Sequence, residues 1–310
     1  MDLYNGYGFR ITPSGGSATL IGGITQQTLM TETTQNAVAT AGSAFAHHGE
    51  ITQVSPRAQF TSLQVGAVLD VLGLTGACLA GGALPGLEMW QLKKTPCGDI
   101  ASGSVHRKMT IPNGLVVPRS LSVSHREDAT IQAETIATFD GNNDPLIISP
   151  NEAAPAGLAD LHRYTLGPMT VGGHAIAGNL SLNIDFGNSA AGDSGDSDPF
   201  DTHIEVAEII PRITIQTRDV SKFAASLVPL RGLLGEHADT SFILRRRVNG
   251  TADYSDAADN IRITARVMAN FDQIFSAQNY RRGEASLQMT ALHDGTNAPL
   301  IIETDYDPTP

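Results

Sequence analysis

Alternation of apolar and polar residues predicts β-strands along most of the chain. In the stretch around Ile209, Ile213 and Ile215, apolar residues alternate in part with polar neighbours, which is the period of a half-buried strand. Prolines inside such stretches favour an edge strand or a bulge, because proline donates no ladder hydrogen bond. The predicted strands are Ile51–Thr61, Leu87–Lys93, Ser104–Ile111, Ala129–Phe139, Val206–Thr217, Ser241–Val248, Asn260–Ala269 and Glu284–His293.

Two stretches show helical spacing of apolar residues. The first is Ser62–Leu74, and the second is Asp219–Leu234, where Thr217 or Asp219 can cap the start and Gly235 follows the end. Pro229 would kink the second helix or end it early.

The chain contains an internal repeat. Residues 140–148 and 294–302 agree at seven of nine positions with an offset of 154, and Pro56-Arg57 returns as Pro211-Arg212 with an offset of 155. Two separate matches with nearly one offset predict a domain of about 150 residues that occurs twice. We place the copies at residues 1–150 and 151–310 and the linker at Ser149–Leu161, which is rich in proline and small residues.

The repeated Asp-Gly pair predicts a turn, since glycine supplies the positive φ that tight hairpins require. We interpret the nonapeptide as a structural hairpin between the last two strands of each copy. The predicted fold class is mainly β, with two tandem similar domains, each a β-sandwich or partial barrel with one flanking helix.

Composition limits the function. The chain has 20 Lys and Arg against 32 Asp and Glu, a formal net charge of −12, which argues against a protein that grips nucleic-acid phosphates. Two cysteines, Cys78 and Cys97, with no metal-site spacing favour a reducing compartment. We expect no signal peptide, and no membrane span in Ala67–Leu87, because Asp70 and several glycines interrupt that apolar run.

One tetrapeptide, Gly192-Asp193-Ser194-Gly195, matches the sequence around a serine-protease nucleophile. That chemistry also needs a histidine base and a buried aspartate. The next residue is Asp196 where the motif has glycine, and His47-His48 lacks the context of a catalytic histidine. We therefore expect no protease.

The acidic loop Gly192–Asp201 offers carboxylates for Ca²⁺, at Asp193, Asp196, Asp198 and Asp201. Their spacing does not fit the helix–loop–helix calcium pattern, and a solvated loop is the alternative that we favour.

The remaining polar residues form no recognisable site. Arg245-Arg246-Arg247 is the one basic run, which suits a solvated strand face or an interface, and His125-Arg126 and Tyr280-Arg281 occupy equivalent places before the last strand of each copy. No phosphate-binding glycine loop follows a strand. We predict no catalytic, cofactor-binding or metal-binding residues and no cofactor. The histidines, which lack zinc-site spacing, are His47, His48, His106, His125, His162, His174, His203, His237 and His293.

The chain resembles the tail tube proteins of long, non-contractile-tailed bacteriophages. Ala291–Ile302, its copy Ala137–Ile148, and Pro211–Thr217 carry the resemblance, together with the order of strands and helix. The resemblance implies that three duplicated chains form a ring of six similar domains and that rings stack into a tube with an inner barrel of strands. It also implies an acidic lumen through which DNA passes without lasting binding, a tape-measure protein inside the tube, and tip and terminator proteins at its ends. The location would be the virion tail, after synthesis in the host bacterial cytoplasm, with no membrane partner.

Three other functions stay open at this stage. The chain could be another virion ring or adaptor, such as a distal tail or head–tail completion protein. It could be a calcium-dependent binding module built on the acidic loop, or an enzyme of unknown type.

Overall fold

The computed structural model describes residues 4–39, 41–42, 44–80, 86–158, 162–195, 198–220, 233–248, 254–255, 258–277 and 283–307. The strands of the first half are β1 (Tyr4–Ile11), β2 (Thr19–Ile21), β3 (Ile24–Val38), β4 (His48–Ser62), β5 (Ala77–Cys78), β6 (Leu87–Lys93), β7 (His106–Ile111), β8 (Gly114–Ser124), β9 (Thr130–Ala137) and β10 (Ile147–Glu152), with helix α1 (Val65–Leu72) after β4. Those of the second half are β11 (Tyr164–Val171), β12 (His174–Ile176), β13 (Asn179–Asp185), β14 (Asn188–Asp193), β15 (His203–Ile209), β16 (Arg212–Thr217), β17 (Leu233–Arg246), β18 (Asn260–Ser276), β19 (Glu284–Ala291) and β20 (Leu300–Tyr306).

The protein is mainly β, and its antiparallel sheets pack as sandwich-like layers. One sheet has the strand order β10-β7-β6-β1-β2. A larger sheet runs β12-β11-β17-β18-β19-β16-β13-β8-β9-β4-β3 and so crosses from one half of the chain to the other. Phe9 of the small sheet stacks on Phe60 of the large one with ring centroids 4.4 Å apart. This pair marks the apolar core between the layers.

Helix α1 lies where helical spacing predicts it. Its apolar side chains Val65, Val68, Leu69 and Leu72 are buried against the sheets. It ends at Gly73, whose φ of 55° terminates the helix and whose N–H donates to the Leu69 carbonyl. The second predicted helix falls largely on residues 221–232, outside the described residues. The prediction that Leu233 and Leu234 end this helix is wrong, because both residues belong to β17.

The strand predictions are confirmed in type, with different bounds at several ends. Leu87–Lys93 matches β6, whereas Val206–Thr217 is two strands, since β15 and β16 are interrupted at Ile210-Pro211. At Gly187, opposite this break, φ is 61° and an added Cβ would collide with the Ile210 carbonyl. A side chain at position 187 would therefore be incompatible with the close approach of the two strands at this break.

The long hairpin β3–β4 has a counterpart with the same register in the second half. There β13 and β14 take the place of β3, and β15 and β16 take the place of β4. Ile24 pairs with Ser62 as Asn179 pairs with Thr217, and each ladder has an irregularity directly after this pair. Farther along, Val38 pairs with His48 as Asp193 pairs with His203. One numerical offset, the same that relates Pro56 to Pro211, holds throughout both hairpins. It includes a second irregularity, after Thr34 in one hairpin and after Ser189 in the other.

The other strands correspond in the same way. Arg57 pairs with Ile136 across β4 and β9, as Arg212 pairs with Thr290 across β16 and β19. Met89 pairs with Met109 as Phe242 pairs with Ile263. Strand β18 occupies the places of both β7 and β8, since it pairs with β17 and β20 near its start and with β19 near its end.

The repeated nonapeptide forms the same turn twice, but the hairpin prediction is wrong. Asp140 accepts backbone N–H bonds from Asn142 and Asn143, and Asp294 accepts them from Thr296 and Asn297. The strands on either side of each turn do not pair with each other, because β9 pairs with β4 and β8 whereas β10 pairs with β7. The first turn therefore carries the chain from one sheet to the other, whereas the second joins two strands that both pair with β18.

Strand β10 also changes the predicted linker. Ser149 is paired with Lys108 and Glu152 with His106, so the first part of Ser149–Leu161 belongs to the small sheet. No helix in the described part of the chain is long and apolar enough to cross a membrane.

Candidate assembly interface

The two halves of the chain join edge to edge, through β8 of the first half and β13 of the second. Leu182 pairs with Val123 and Ile184 with Leu121, and all four side chains are buried. The polar positions between them also match, since the Ser122 hydroxyl donates a 2.6 Å bond to Asn183 Oδ1. This junction therefore extends the core and the ladder of one half into the other.

A second contact comes from the hairpin loop of the second half. The Val54 N–H donates to the Pro199 carbonyl at 2.6 Å, and the Phe139 N–H donates to the Asp201 carbonyl at 2.8 Å. The Phe139 and Phe200 rings pack with centroids 5.7 Å apart. The loop thus lies along β4 of the first half.

The strands that join at the β8–β13 junction have counterparts at the two ends of the run β3-β4-β9-β8-β13-β16-β19-β18. These end strands have no second strand partner among the described residues. In the part of the chain that the structure describes, strand β3 pairs with β4 alone, and the end of β18, from Gln273 onward, pairs with β19 alone. Exposed apolar side chains lie on both: Met30 is 36% exposed and Phe275 is 60% exposed. Phe45, in the loop of the β3–β4 hairpin, is 79% exposed. Unpaired edges with apolar side chains are sites of strand addition.

Between these ends, eight strands form one continuous layer with a polar face and an apolar face. Register partners that share the apolar face are all buried: Ile131, Leu121, Ile184, Ile213, Met289 and Ala269. Register partners that share the polar face are Thr130, Ser122, Asn183, Thr214, Gln288 and Asn270. This second face is rich in hydroxyl and amide groups, and a groove of about 520 Å³ follows it near Asn183 and Gln288.

The arginines on the polar face lie next to carboxylates. The buried carboxylate of Glu134 accepts from Arg119 Nε at 2.6 Å and lies 3.5 Å from Arg57 Nη1. Arg212 is the register partner of Asp185. Arg57 and Arg119 are therefore ion-paired on this face, and Arg212 has a carboxylate as its cross-strand neighbour.

The acidic loop is organised by hydrogen bonds to protein groups. Asp201 is 3% exposed and accepts bonds from the Ser55 hydroxyl at 2.7 Å and from Gln53 Nε2 at 3.0 Å. Asp198 accepts from the Phe200 N–H, and Asp193 accepts from the Ser194 N–H. The expectation of a wholly solvated loop is wrong for Asp201, and no local pattern pointed to its partner Ser55.

The described residues contain no group of three His, Cys, Asp or Glu side chains that could hold a metal ion, and Asp196 lies outside them. In the protease-like tetrapeptide, Asp193 pairs with His203 in the β14–β15 ladder, whereas His48 pairs with Val38 in the other hairpin. His106 is a buried core residue whose ring bonds Lys93 N and the Ala101 carbonyl.

The basic run forms ion pairs, so the favoured solvated-face interpretation fits it poorly. Arg246 bonds Asp259 at 2.5 Å. Arg247 reaches into the first half, where it bonds the Arg126 carbonyl at 2.9 Å and lies 3.5 Å from Asp128. Tyr280-Arg281 lies outside the described residues.

A cleft of about 360 Å³ lies where α1 faces the second half. Its carboxylates are engaged, Asp70 with the Thr304 hydroxyl and Asp259 with Arg246. Burial raises the pKa of the Tyr164 phenol, which also lines the cleft. Both carboxylates of the cleft thus bond to other side chains that line it.

No known protein-family description matches this chain. A search of curated proteins likewise finds no match.

Proposed function

We propose that this protein is a structural component of a phage virion, the subunit of a tail tube, built from a tandem duplication at residues 1–150 and 151–310. In this proposal three chains form a ring with pseudo-six-fold symmetry, and rings stack into the tube. The resemblance of Ala291–Ile302 and its copy to tail tube proteins gives the class of protein, and the pairwise agreement of registers between the halves supports the duplication.

One observation carries the proposal: the halves are joined by an edge-to-edge sheet junction, and the corresponding edges remain at the two ends of the chain. A junction that repeats between chains is heterologous, and such contacts close into a ring when the rotation suits. The internal junction then supplies every second contact of the ring.

The number of strands fits the passage of DNA. A closed layer of eight strands from each of three chains, about 4.8 Å apart and tilted by roughly 40°, has a diameter of about 48 Å between backbone centres. Side chains on the inner wall would reduce this to about 38 Å, which leaves room for a hydrated B-form duplex. Two chains would leave about 22 Å, too little for a hydrated duplex.

The polar face suits the lumen side of such a wall. It combines hydroxyl and amide groups with arginines that neighbouring carboxylates neutralise, as for Arg57 and Glu134. Because DNA binding depends on unneutralised Lys and Arg, this face would let DNA pass. The surplus of acidic groups in the chain adds long-range repulsion, which gives the acidic lumen of the proposal.

The partners follow from this role. They are other copies of the chain, a tape-measure protein in the lumen, and tip and terminator proteins at the tube ends, with DNA in transit during ejection. The location is the virion tail, after synthesis in the host cytoplasm.

Negative-stain microscopy of the purified chain tests the proposal. We expect three-fold rings or tubes whose lumen has the width that the strand count gives, about 38 Å. Rings that never stack would favour a distal tail or head–tail completion protein. A monomer at every concentration, with a Ca²⁺-dependent rise in melting temperature, would replace the proposal with a calcium-dependent binding module.

A further inference from the structure

We propose that β3 of one chain adds to the end of β18 in a second copy, with Met30 opposite Gln273 and Thr28 opposite Phe275. The partner is thus another molecule of this protein, held by an antiparallel ladder. The inference deepens the proposed function, because it names the surfaces that join neighbouring subunits and the register between them.

The donor side follows from the hairpin correspondence. Strand β13, which docks on β8, has the same register to β16 that β3 has to β4, with one constant offset in residue number. Met30 therefore occupies the place of Asp185, and Thr28 that of Asn183. In the internal junction Asp185 pairs with Ser120 and Asn183 with Ser122.

The acceptor side follows from β8 and β18. Ser120 pairs with Gln132 on β9, and Gln273 pairs with Ser286 on β19, at corresponding positions of the two halves. Each of these pairs directly follows a ladder irregularity, after Pro118 in one half and after Phe271 in the other. Gln273 is therefore the counterpart of Ser120, and the internal pair of Asp185 with Ser120 predicts the pair of Met30 with Gln273.

Burial favours this pairing. Ile184 is buried at the internal junction, whereas Leu29, in the equivalent place on β3, is only partly buried against the core. A neighbouring strand would cover Leu29. Met30 would also come diagonally next to Phe275, within reach across paired strands, and both side chains are exposed in the single chain.

The hairpin loops add a second, matching contact. Phe200, which packs on Phe139, corresponds to Phe45 by the same count of residues, and the loops between the paired strands have equal length. Phe139 corresponds to His293, at the offset of 154 that relates the two turns. In the assembled pair we expect Phe45 of one copy to lie close to His293 of its neighbour.

Cysteine cross-linking tests the register. In a Cys78→Ser, Cys97→Ser background, one chain carries Met30→Cys and a second chain carries Gln273→Cys. Directly opposed residues of antiparallel strands have Cα atoms about 4.5–5.5 Å apart, within the range that disulfides accept. We expect the mixture to give a covalent dimer under mild oxidation, and either chain alone to give none. The matched positive control, Ser120→Cys with Asp185→Cys in one chain, should form an intrachain disulfide.

A one-residue slip is tested by pairing Met30→Cys with Asp272→Cys, whose side chains would point to opposite faces. Cross-linking through Asp272 in preference to Gln273 would overturn the register, and so would assembled rings without a Met30–Gln273 cross-link. A chain that is monomeric at all concentrations would overturn the whole inference. Cross-linked pairs without rings or tubes in the microscope would uphold the strand pairing and reject the tail tube.

Discussion

The Ser55 hydroxyl donates a 2.7 Å hydrogen bond to Asp201 Oδ2, although 146 residues separate the two in sequence. Ser55 belongs to β4 of the first half, and Asp201 lies in the loop between β14 and β15 of the second half. Gln53 Nε2 donates to the other carboxylate oxygen. The buried carboxylate therefore fixes the hairpin of one half on the sheet of the other.

Replacement of Asp201 should weaken this attachment. We expect Asp201→Ala to lower the free energy of unfolding by about 1–3 kcal/mol, because the buried Ser55 hydroxyl and the Gln53 amide lose a charged acceptor. Urea denaturation measures the change. Asp193→Ala, in the exposed part of the same loop, should stay within about 0.5 kcal/mol of the parent protein. Equal losses for the two variants would contradict a specific role for Asp201.

The same geometry predicts how the protein responds to calcium. Asp201 has already committed both carboxylate oxygens to protein donors, and a Ca²⁺ site needs six to eight oxygen ligands. We expect the melting temperature to be the same in millimolar Ca²⁺ and in chelator, within about 1 °C, since a ligand that binds only the folded state raises it. A rise of several degrees that Asp198→Ala abolishes would instead establish a calcium site in this loop.

Sequence patterns identified the elements better than their partners. Alternation and helical spacing are local properties, so strands such as Leu87–Lys93 and helix α1 could be predicted. The repeated Asp-Gly turn was located correctly, but its interpretation as a hairpin was wrong. Which strand pairs with which depends on contacts between residues far apart in sequence, and the Asp140 hydrogen bonds are the same whether or not the flanking strands pair.

The candidate interface was even less accessible from the sequence. Strand β8 went unrecognised, because its apolar run Leu115-Val116-Val117 lacks alternation and Pro118 interrupts it. Asp201 looked like one acidic residue among four in a polar loop, since its burial depends on residues of the other half. What the sequence did contain was the repeat, and its constant offset is the quantity that relates Met30 to Asp185.

The twin turns predict a pH dependence of stability. Backbone and side-chain N–H bonds hold the pKa of both Asp140 and Asp294 below the usual range for aspartate. A folded-state pKa that lies below the unfolded value of about 3.9 stabilises the protein above that pH, and this contribution is lost as the pH falls through the folded pKa. We expect Asp294→Ala to be less stable than the parent at pH 7 and to approach it below about pH 4. Thermal melts at both pH values provide the comparison.

Asp144→Ala is the matched control for the turns, because the second copy already has Ala298 at the equivalent position. It should leave stability unchanged at both pH values. A loss for Asp294→Ala that is constant from pH 7 to pH 3 would show that the turn acts through shape and not through the charge of the carboxylate.

Opposite charges introduced at the proposed contact between β3 and β18 should have non-additive effects on assembly. Met30→Lys places a charge in an apolar contact, and Phe275→Glu removes an exposed aromatic ring, so each alone should raise the protein concentration needed for assembly by about tenfold. In the double variant, each lysine lies diagonally next to a glutamate of the neighbouring chain, within reach across the paired strands, and assembly should return toward the parent value. Analytical ultracentrifugation measures this. Losses that simply add would contradict direct contact between the two positions.

The polar face predicts how DNA would behave in an assembled tube. Thr214 and Gln288 are register partners on this face, and neither carries a charge. Thr214→Arg with Gln288→Arg would add two unneutralised cations per chain, repeated around the ring. Because each neutralised phosphate releases counterions, we expect DNA retention that falls with salt, with the slope of log K against log salt increasing by about 0.9 for each new contact. Binding of labelled duplex to tubes at several salt concentrations gives this slope.

Arginines on the opposite face of these strands would not serve as a control. Ile213 and Met289 on that face are buried, so their replacement would disrupt folding. The informative control therefore keeps the positions and reverses the sign, as Thr214→Glu with Gln288→Glu. These glutamate tubes should bind DNA no better than the parent tubes. If the arginine tubes keep their diameter but also fail to retain DNA, the polar face does not line the lumen. It would then lie on the outer side of the tube wall.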